Sequence, residues 1–258
     1  MVKRTSQSRN GNAGRPLKSA GKRNRSKLTA AELVYQELKS RILTVRFPPG
    51  SVLEEEGVLG KLGFSRTPFR EACMRLKEEG WLVAMSRRGY LIAPITFKDT
   101  VDVYEMRFIL ECATAQIAAA HAGRSDVERL EKIVGAEEKH HEKKVIMPSL
   151  VRMNFDFHMS LAMITDNVRI TAAVRNLLEH VLRFDSMLFQ FSPQTSWVGH
   201  SAIVAAIKRR NSAEAQKRMH EHIQHARERI FSVFSSTRWH HGADGQILVD
   251  FSRARTPR

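Results

Sequence analysis

Arg66, Thr67 and Arg70 stand in the run Ser65-Arg66-Thr67-Pro68-Phe69-Arg70-Glu71-Ala72-Cys73-Met74-Arg75-Leu76. At about 100° per residue, Phe69, Ala72, Cys73 and Leu76 fall on one apolar face. Arg66, Arg70 and Lys77 share a neighbouring stripe, with Thr67 beside them. Ser65 is a good N-cap, and Pro68 sits in the first turn, where its missing N–H would be unbonded anyway. A short helix buried along one side and offering Arg and Thr along another suits the reading of base edges in a DNA major groove. Taken alone, the segment is more simply an amphipathic helix with a solvated basic face; its surroundings reverse that preference.

A second chemistry lies in the histidines, of which there are 11. His158 shares a helical stripe with Asn154 and Leu161, His200 leads into Ile203, Val204 and Ile207, and His222 joins Ala215, Met219 and Ala226. Each is expected on the inward stripe of a different helix, and three imidazoles aimed into one bundle can converge on a metal. At this level satisfied core histidines are the default. His140 and His141, in Glu137-Glu138-Lys139-His140-His141-Glu142, read as part of a solvated helix face. His121, His180, His240 and His241 have no partner at ligand spacing.

The elements that must position these groups follow from period and punctuation. Thr29 opens a helix to about Thr44, stopped by Phe47-Pro48-Pro49-Gly50; Leu53, Val58, Leu59 and Leu62 fit a second, short one. Gly63-Phe64 then turns into the helix that begins after Ser65. Trp81–Met85 and Gly89–Ala93 are extended runs flanking a turn with Arg87 and Arg88 at its tip. Three helices and a basic-tipped hairpin describe a winged helix-turn-helix over residues 29–96. Helical periods near 100–121, 126–144, 148–164, 168–191, 196–208 and 212–234 predict an all-α domain over 97–235. The fold class is thus mostly α, a winged helix-turn-helix followed by a helical bundle, with 236–258 a loose tail.

The chain has 258 residues and a net charge of +15, unevenly placed: residues 1–28 hold nine Lys and Arg and no acid. That composition predicts a disordered basic arm that attracts phosphates without reading sequence. A solubilising tail is the plainer alternative, and a transit peptide would need apolar residues that the arm lacks. No apolar run is long enough to span a membrane, and Cys73 and Cys112 fit reduced core residues of a cytoplasmic protein.

Phe47-Pro48-Pro49-Gly50, Leu62-Gly63-Phe64-Ser65-Arg66-Thr67-Pro68 and Arg70-Glu71-Ala72 resemble the DNA-binding domain of GntR-type bacterial transcription regulators. The resemblance implies operator contacts from Ser65, Arg66, Thr67 and Arg70, with Arg87 and Arg88 at the wing. Residues 98–235 resemble, more loosely, the FCD domain of the FadR-like subgroup. There the metal set is an Asp or Asn four residues before a His, then two later His. Asn154, His158, His200 and His222 match that order, which implies a divalent ion: zinc, nickel or manganese. Asp156 cannot replace Asn154, because two residues along a helix turn it about 200° away. The resemblance further implies a small carboxylate metabolite at the metal. Arg107, in Tyr104-Glu105-Met106-Arg107, is the candidate carboxylate partner, or else a structural ion pair with Glu111.

The reading that follows is a repressor, not an enzyme: a homodimer on a two-fold operator in double-stranded DNA, controlled by a metabolite. A non-specific DNA-coating protein and, more remotely, a metal-dependent hydrolase are the alternatives. No general base is recognisable near the histidines, which counts against the hydrolase. Deleting residues 1–28 separates the first two readings. A regulator should bind all DNA more weakly and with a shallower salt dependence, yet keep its preference for one sequence in competition assays. Loss of that preference would favour the coating protein.

Overall fold

The computed structural model describes residues 28–86, 89–142, 148–191, 199–236, 239–241 and 247–249. The basic arm up to residue 27 and the wing-tip Arg87 and Arg88 lie outside the described residues. The N-terminal head comprises α1 (Ala30–Leu43), β1 (Val52–Leu53), α2 (Glu55–Leu62), α3 (Arg66–Glu78), β2 (Leu82–Met85) and β3 (Gly89–Ile92). Thr29 caps α1, its hydroxyl accepting from the Glu32 amide at 3.1 Å. The turn between α2 and α3 is made at Gly63, whose φ of 68° suits glycine.

The strands form an antiparallel sheet in the order β1-β3-β2, with Val52 opposite Leu91 and Leu82 opposite Ile92. Leu53, expected in the second helix, instead lies in β1 and is buried. The cause is the preceding turn: Gly50 donates to the Ile92 carbonyl at 2.9 Å and Ile92 donates to the Ser51 carbonyl at 2.8 Å, so the chain is committed to the sheet before α2 begins. A two-residue strand carries no period of its own.

α3 ends in a Schellman arrangement. Trp81 donates to the Leu76 carbonyl at 2.8 Å and Gly80, at φ 82°, donates to the Lys77 carbonyl at 3.0 Å. Leu76 and Trp81 are both buried, so the cap also fastens the helix end to the head's core with Leu38, Ile42, Phe69 and Cys73.

The second domain is built from α4 (Phe97–His121), α5 (Arg124–Glu142), α6 (Pro148–Ile164), α7 (Val168–Phe191), α8 (Ser201–Lys208) and α9 (Ser212–Ser236). α4 packs along α9, and α6 along α7. One apolar cluster runs through all six and takes in Val45 and Ile95 from the head's edge. α8 begins at Ser201, later than its period suggested, with His200 as its N-cap residue. The expected loose tail is corrected in part: Trp239–His241 (β4) and Ile247–Val249 (β5) pair antiparallel. The Ile247-Leu248-Val249 run has the β-branched content that such a ladder favours.

Head and bundle meet along α7. Lys39 of α1 lies 2.8 Å from Glu79 and 2.9 Å from Glu179 of α7. Burial works against its charge, but hydrogen bonds from Lys39 to Glu79, Tyr35 and Glu179 outweigh that and hold its pKa above the usual lysine range. His180 stacks on Trp81 at 4.5 Å between ring centroids, and Arg183 donates to the Ala93 carbonyl.

Because the head has its own core, its stability can be perturbed separately. Leu76→Ala should cost about 2–5 kcal/mol, the range for a buried Leu truncated to Ala. In urea unfolding followed by circular dichroism, we expect an early transition of the head ahead of the helical domain. A single, unshifted transition would show that Leu76 is not the keystone described.

Candidate functional site

On the head, Ser65, Arg66, Thr67 and Arg70 are all exposed, while Phe69, Ala72, Cys73 and Leu76 are buried. Ser65 occupies the N-cap position with extended backbone, but its side chain makes no capping hydrogen bond; the hydroxyl reading is corrected to that extent. Arg66 is 69% exposed, its Nε 3.6 Å from Glu55 Oε1. Such an exposed pair is worth little and leaves the guanidinium available. The far end of α3 is tied down by Arg75, which pairs with Glu32 and Glu79 and lies 3.6 Å from the Tyr35 ring centroid. α3 is therefore exposed and lightly held at its N-terminal end and anchored at the other.

In the helical domain His158 of α6, His200 at the start of α8 and His222 of α9 come together. One nitrogen from each lies within 4.8 Å of the others. All three are buried, His200 completely. Phe157 stacks on the His200 ring at 3.9 Å between centroids. Asn154, one turn before His158, is buried as well. Asp156 turns away to pair with Arg152 at 3.0 Å.

Carboxylates back these groups. Glu137 accepts from His200 Nδ1 at 2.9 Å through both oxygens, which leaves Nε2 as the lone-pair nitrogen. Glu111 lies against His158 Nδ1 and takes Arg107 Nε at 2.5 Å through its other oxygen. Asp185 accepts from Asn154 Nδ2 at 3.1 Å. His158 Nε2, His200 Nε2, His222 Nδ1 and Asn154 Oδ1 are buried with no hydrogen-bond partner among the described residues. Buried acceptors left unmatched are costly, and three imidazole nitrogens gathered in this way, with an amide oxygen on the residue one helical turn before His158, fit a cation. The donor set, three imidazole nitrogens and an amide oxygen, suits a borderline divalent ion such as zinc or nickel, and the oxygen admits manganese, which prefers oxygen ligands.

The charges are consistent with that fit. Burial, then the neighbouring His200 and His158, hold the His222 pKa well below 6.5. Burial also lowers that of His158, against the pull of Glu111. Both imidazoles are thus neutral and ligand-competent near neutral pH. Burial would raise the Glu111 pKa, but Arg107 and His158 outweigh it and hold it at about 2. With His158 neutral, Arg107 is the cation that balances Glu111. Burial raises the Asp185 pKa, with Arg229, Arg107 and the Asn154 hydrogen bond opposing.

Glu137 corrects one expectation: it belongs not to a solvated face but to the core, 1% exposed. A second correction concerns the absence of carboxylates near the histidines, since Glu111, Glu137 and Asp185 all stand there. Each was visible as an acid on an apolar stripe: Glu137 continues Leu130 and Val134, Asp185 continues Leu178 and Val181, and Glu111 continues Tyr104 and leads to Ala115. Arg107 is buried and paired with Glu111, while its Nη2 has no partner among the described residues.

The comparisons divide the chain at the same place. Residues 30–92 match the model of bacterial regulatory proteins of the gntR family, and residues 102–225 match the FCD domain. An uncharacterized HTH-type transcriptional regulator of Bacillus subtilis, YdhC, is 28% identical, over 77% of this chain and 90% of its own length. The HTH-type transcriptional repressor RspR of Escherichia coli is 26% identical, over 78% of this chain and 88% of its own. The solved structure of E. coli McbR/YncC superposes with a TM-score of 0.69 at 16% identity, covering 81% of this chain and all of that one.

The lowered histidine pKa values carry a pH dependence with a definite sign. An imidazole held neutral in the fold takes its proton first in the unfolded chain, near 6.5, so acid pulls the equilibrium toward unfolding. The unfolding free energy of the metal-free protein should fall as pH drops from about 7.5 to about 5.5, and His222→Gln should flatten that slope. Glu111 stays out of this window, since its shift runs from 4.5 down to about 2. An unchanged slope in His222→Gln would place the titration elsewhere.

Proposed function

The chain belongs to the GntR family of bacterial transcription regulators and carries an FCD domain behind its DNA-binding head, and on that premise we propose a metabolite-controlled repressor. Two chains, joined mainly through their helical domains, bind a two-fold operator. Each lays the N-terminal end of α3 in the major groove, where Arg66 and Arg70 reach base edges and Ser65 and Thr67 fix the approach. The basic arm and the wing residues Arg87 and Arg88 hold phosphates or an adjacent minor groove. Repression is the sign supported by RspR, a named repressor that resembles this chain along most of its length.

The observation that carries the regulatory half is the buried set His158, His200 and His222 with unmatched nitrogens. Asn154 completes it with an amide oxygen. A divalent ion held there supplies an open coordination position for a carboxylate oxygen. Arg107 serves in both of the roles considered for it. Its Nε stays with Glu111, while Nη2 is left to grip a second carboxylate oxygen of the metabolite. The carboxylates around the site orient ligands rather than act as bases, in keeping with a family of regulators and not of enzymes.

Arg66→Ala and Arg70→Ala test the assignment on an operator selected from random-sequence DNA. Each should lose about 1–3 kcal/mol of operator discrimination, since both residues lie off the apolar face and the fold should survive. Unchanged discrimination in both variants would sink the role of α3. His200→Ala, in parallel, should keep operator binding but abolish metal uptake; retained uptake would sink the metal site.

A further inference from the structure

Asn154 presents a choice that a carboxylate in its place would not. An amide has one face that can bind a cation, through Oδ1, and one that cannot, since Nδ2 has hydrogens and no lone pair to offer. Which face meets the histidines depends on what holds the other. In this chain the holder is Asp185, on the inward stripe of α7 between Val181 and Leu188. It accepts from Asn154 Nδ2 at 3.1 Å, while Asn154 Oδ1 is buried with no partner among the described residues. Turning the amide over would set its oxygen against the carboxylate oxygen and its NH2 toward the metal position. The first loses the hydrogen bond that Asp185 accepts, and the second offers the ion no lone pair.

We propose that Asp185 is a positioning residue for the metal set: by taking the Asn154 amide hydrogen it presents Asn154 Oδ1 to the ion held by His158, His200 and His222. The proposal rests on the metal reading given above and names the residue that makes a neutral amide serve in it. The same device recurs around the site. Glu137 on His200 leaves that ring's Nε2 to the ion, and Glu111 stands beside Nδ1 of His158. Asp185 does for the amide what these two do for the imidazoles. The anionic charge of the site is thereby placed one layer out from the ligands, on α4, α5 and α7.

One consequence distinguishes positioning from simple support. Asn154→Asp alone would set two carboxylates against each other, so it should not improve the site. The exchange N154D/D185N should restore the hydrogen bond with its direction reversed, the amide outside and the carboxylate inside. The ions to compare are manganese, which prefers oxygen ligands, and zinc, which the three imidazoles dominate.

The test uses the full chain, stripped with chelator and titrated with Mn2+ and with Zn2+ against a competing indicator. Asp185→Asn leaves the partner residue nearly isosteric but lets the Asn154 amide settle either way. Mn2+ affinity should fall about 10–100-fold, the usual cost of losing an orienting partner, and Zn2+ affinity by clearly less. N154D/D185N should recover Mn2+ binding, and Asn154→Asp alone should not. Wild-type affinities and an unchanged Mn2+:Zn2+ ratio in Asp185→Asn would overturn the proposal while leaving the histidine site intact. Equal losses for both ions, unrelieved by the exchange, would also overturn it and make Asp185 a support of the fold. A wild-type chain that takes up neither ion would remove the metal reading and this proposal together.

Discussion

Three imidazoles packed into one apolar bundle cannot all be charged, and each neutral ring there has one N–H and one lone pair that need partners. His158, His200 and His222 meet with ring centroids 4.5 to 5.3 Å apart, and burial together with the neighbouring rings disfavours protonating His158 and His222. A neutral ring has one proton and one lone pair, and the acids nearby decide which nitrogen has which. Glu137 takes the Nδ1 proton of His200, and Glu111 sits at Nδ1 of His158. Those acids are themselves buried, so they need charge nearby: Arg107 for Glu111, and in our reading a divalent ion for the rest. Five helices (α4, α5, α6, α8 and α9) thereby meet at one point, with the apolar cluster around them.

α7 extends this constraint to the head. Its inward side holds Asp185 against Asn154. A different side holds Arg183 on the Ala93 carbonyl, His180 on the ring of Trp81, and Glu179 on Lys39. Burial pushes the Arg183 pKa down to about 10, so the side chain remains charged at neutral pH and keeps its grip on the junction between wing and α4. Lys39 continues the link to α3, because Glu79, its partner in the head, also anchors Arg75 near that helix's C-terminal end. α7 thus reaches Asn154 directly and, through Lys39 and Glu79, the C-terminal end of α3. A metabolite that shifted α7 would be felt at both, provided it bound the two arrangements unequally.

Much of this was legible in the chain itself, because helical stripes are local. The apolar face of α3 and the inward positions of His158, His200 and His222 follow from spacing alone. The orienting acids did not, for a physical reason. Glu137 meets His200 across 63 residues and Asp185 meets Asn154 across 31. Nothing in a helical period says which distant helix will stand opposite. What it does say is that an acid on an apolar stripe must have a partner, and Glu137, passed over within a run of charges, was such a case. β1 escaped because its two residues are held by hydrogen bonds from Gly50 and Ile92 and not by any alternation of their own.

Arg107 shows how a structural ion pair can leave a residue room for the second role proposed for it. A guanidinium has donors on more than one edge, so pairing with Glu111 leaves Nη2 uncommitted. The ion pair does more than tolerate a second role. It fixes the guanidinium plane, so that less side-chain entropy remains to be lost when an anion arrives. Glu111 also removes most of the positive charge that an isolated buried arginine would carry into the site. On the proposed reading an anion would be drawn by the unmatched donor and by an ion at the histidines together, and selectivity for a carboxylate would follow because a ligand must offer two oxygens at a spacing that reaches both.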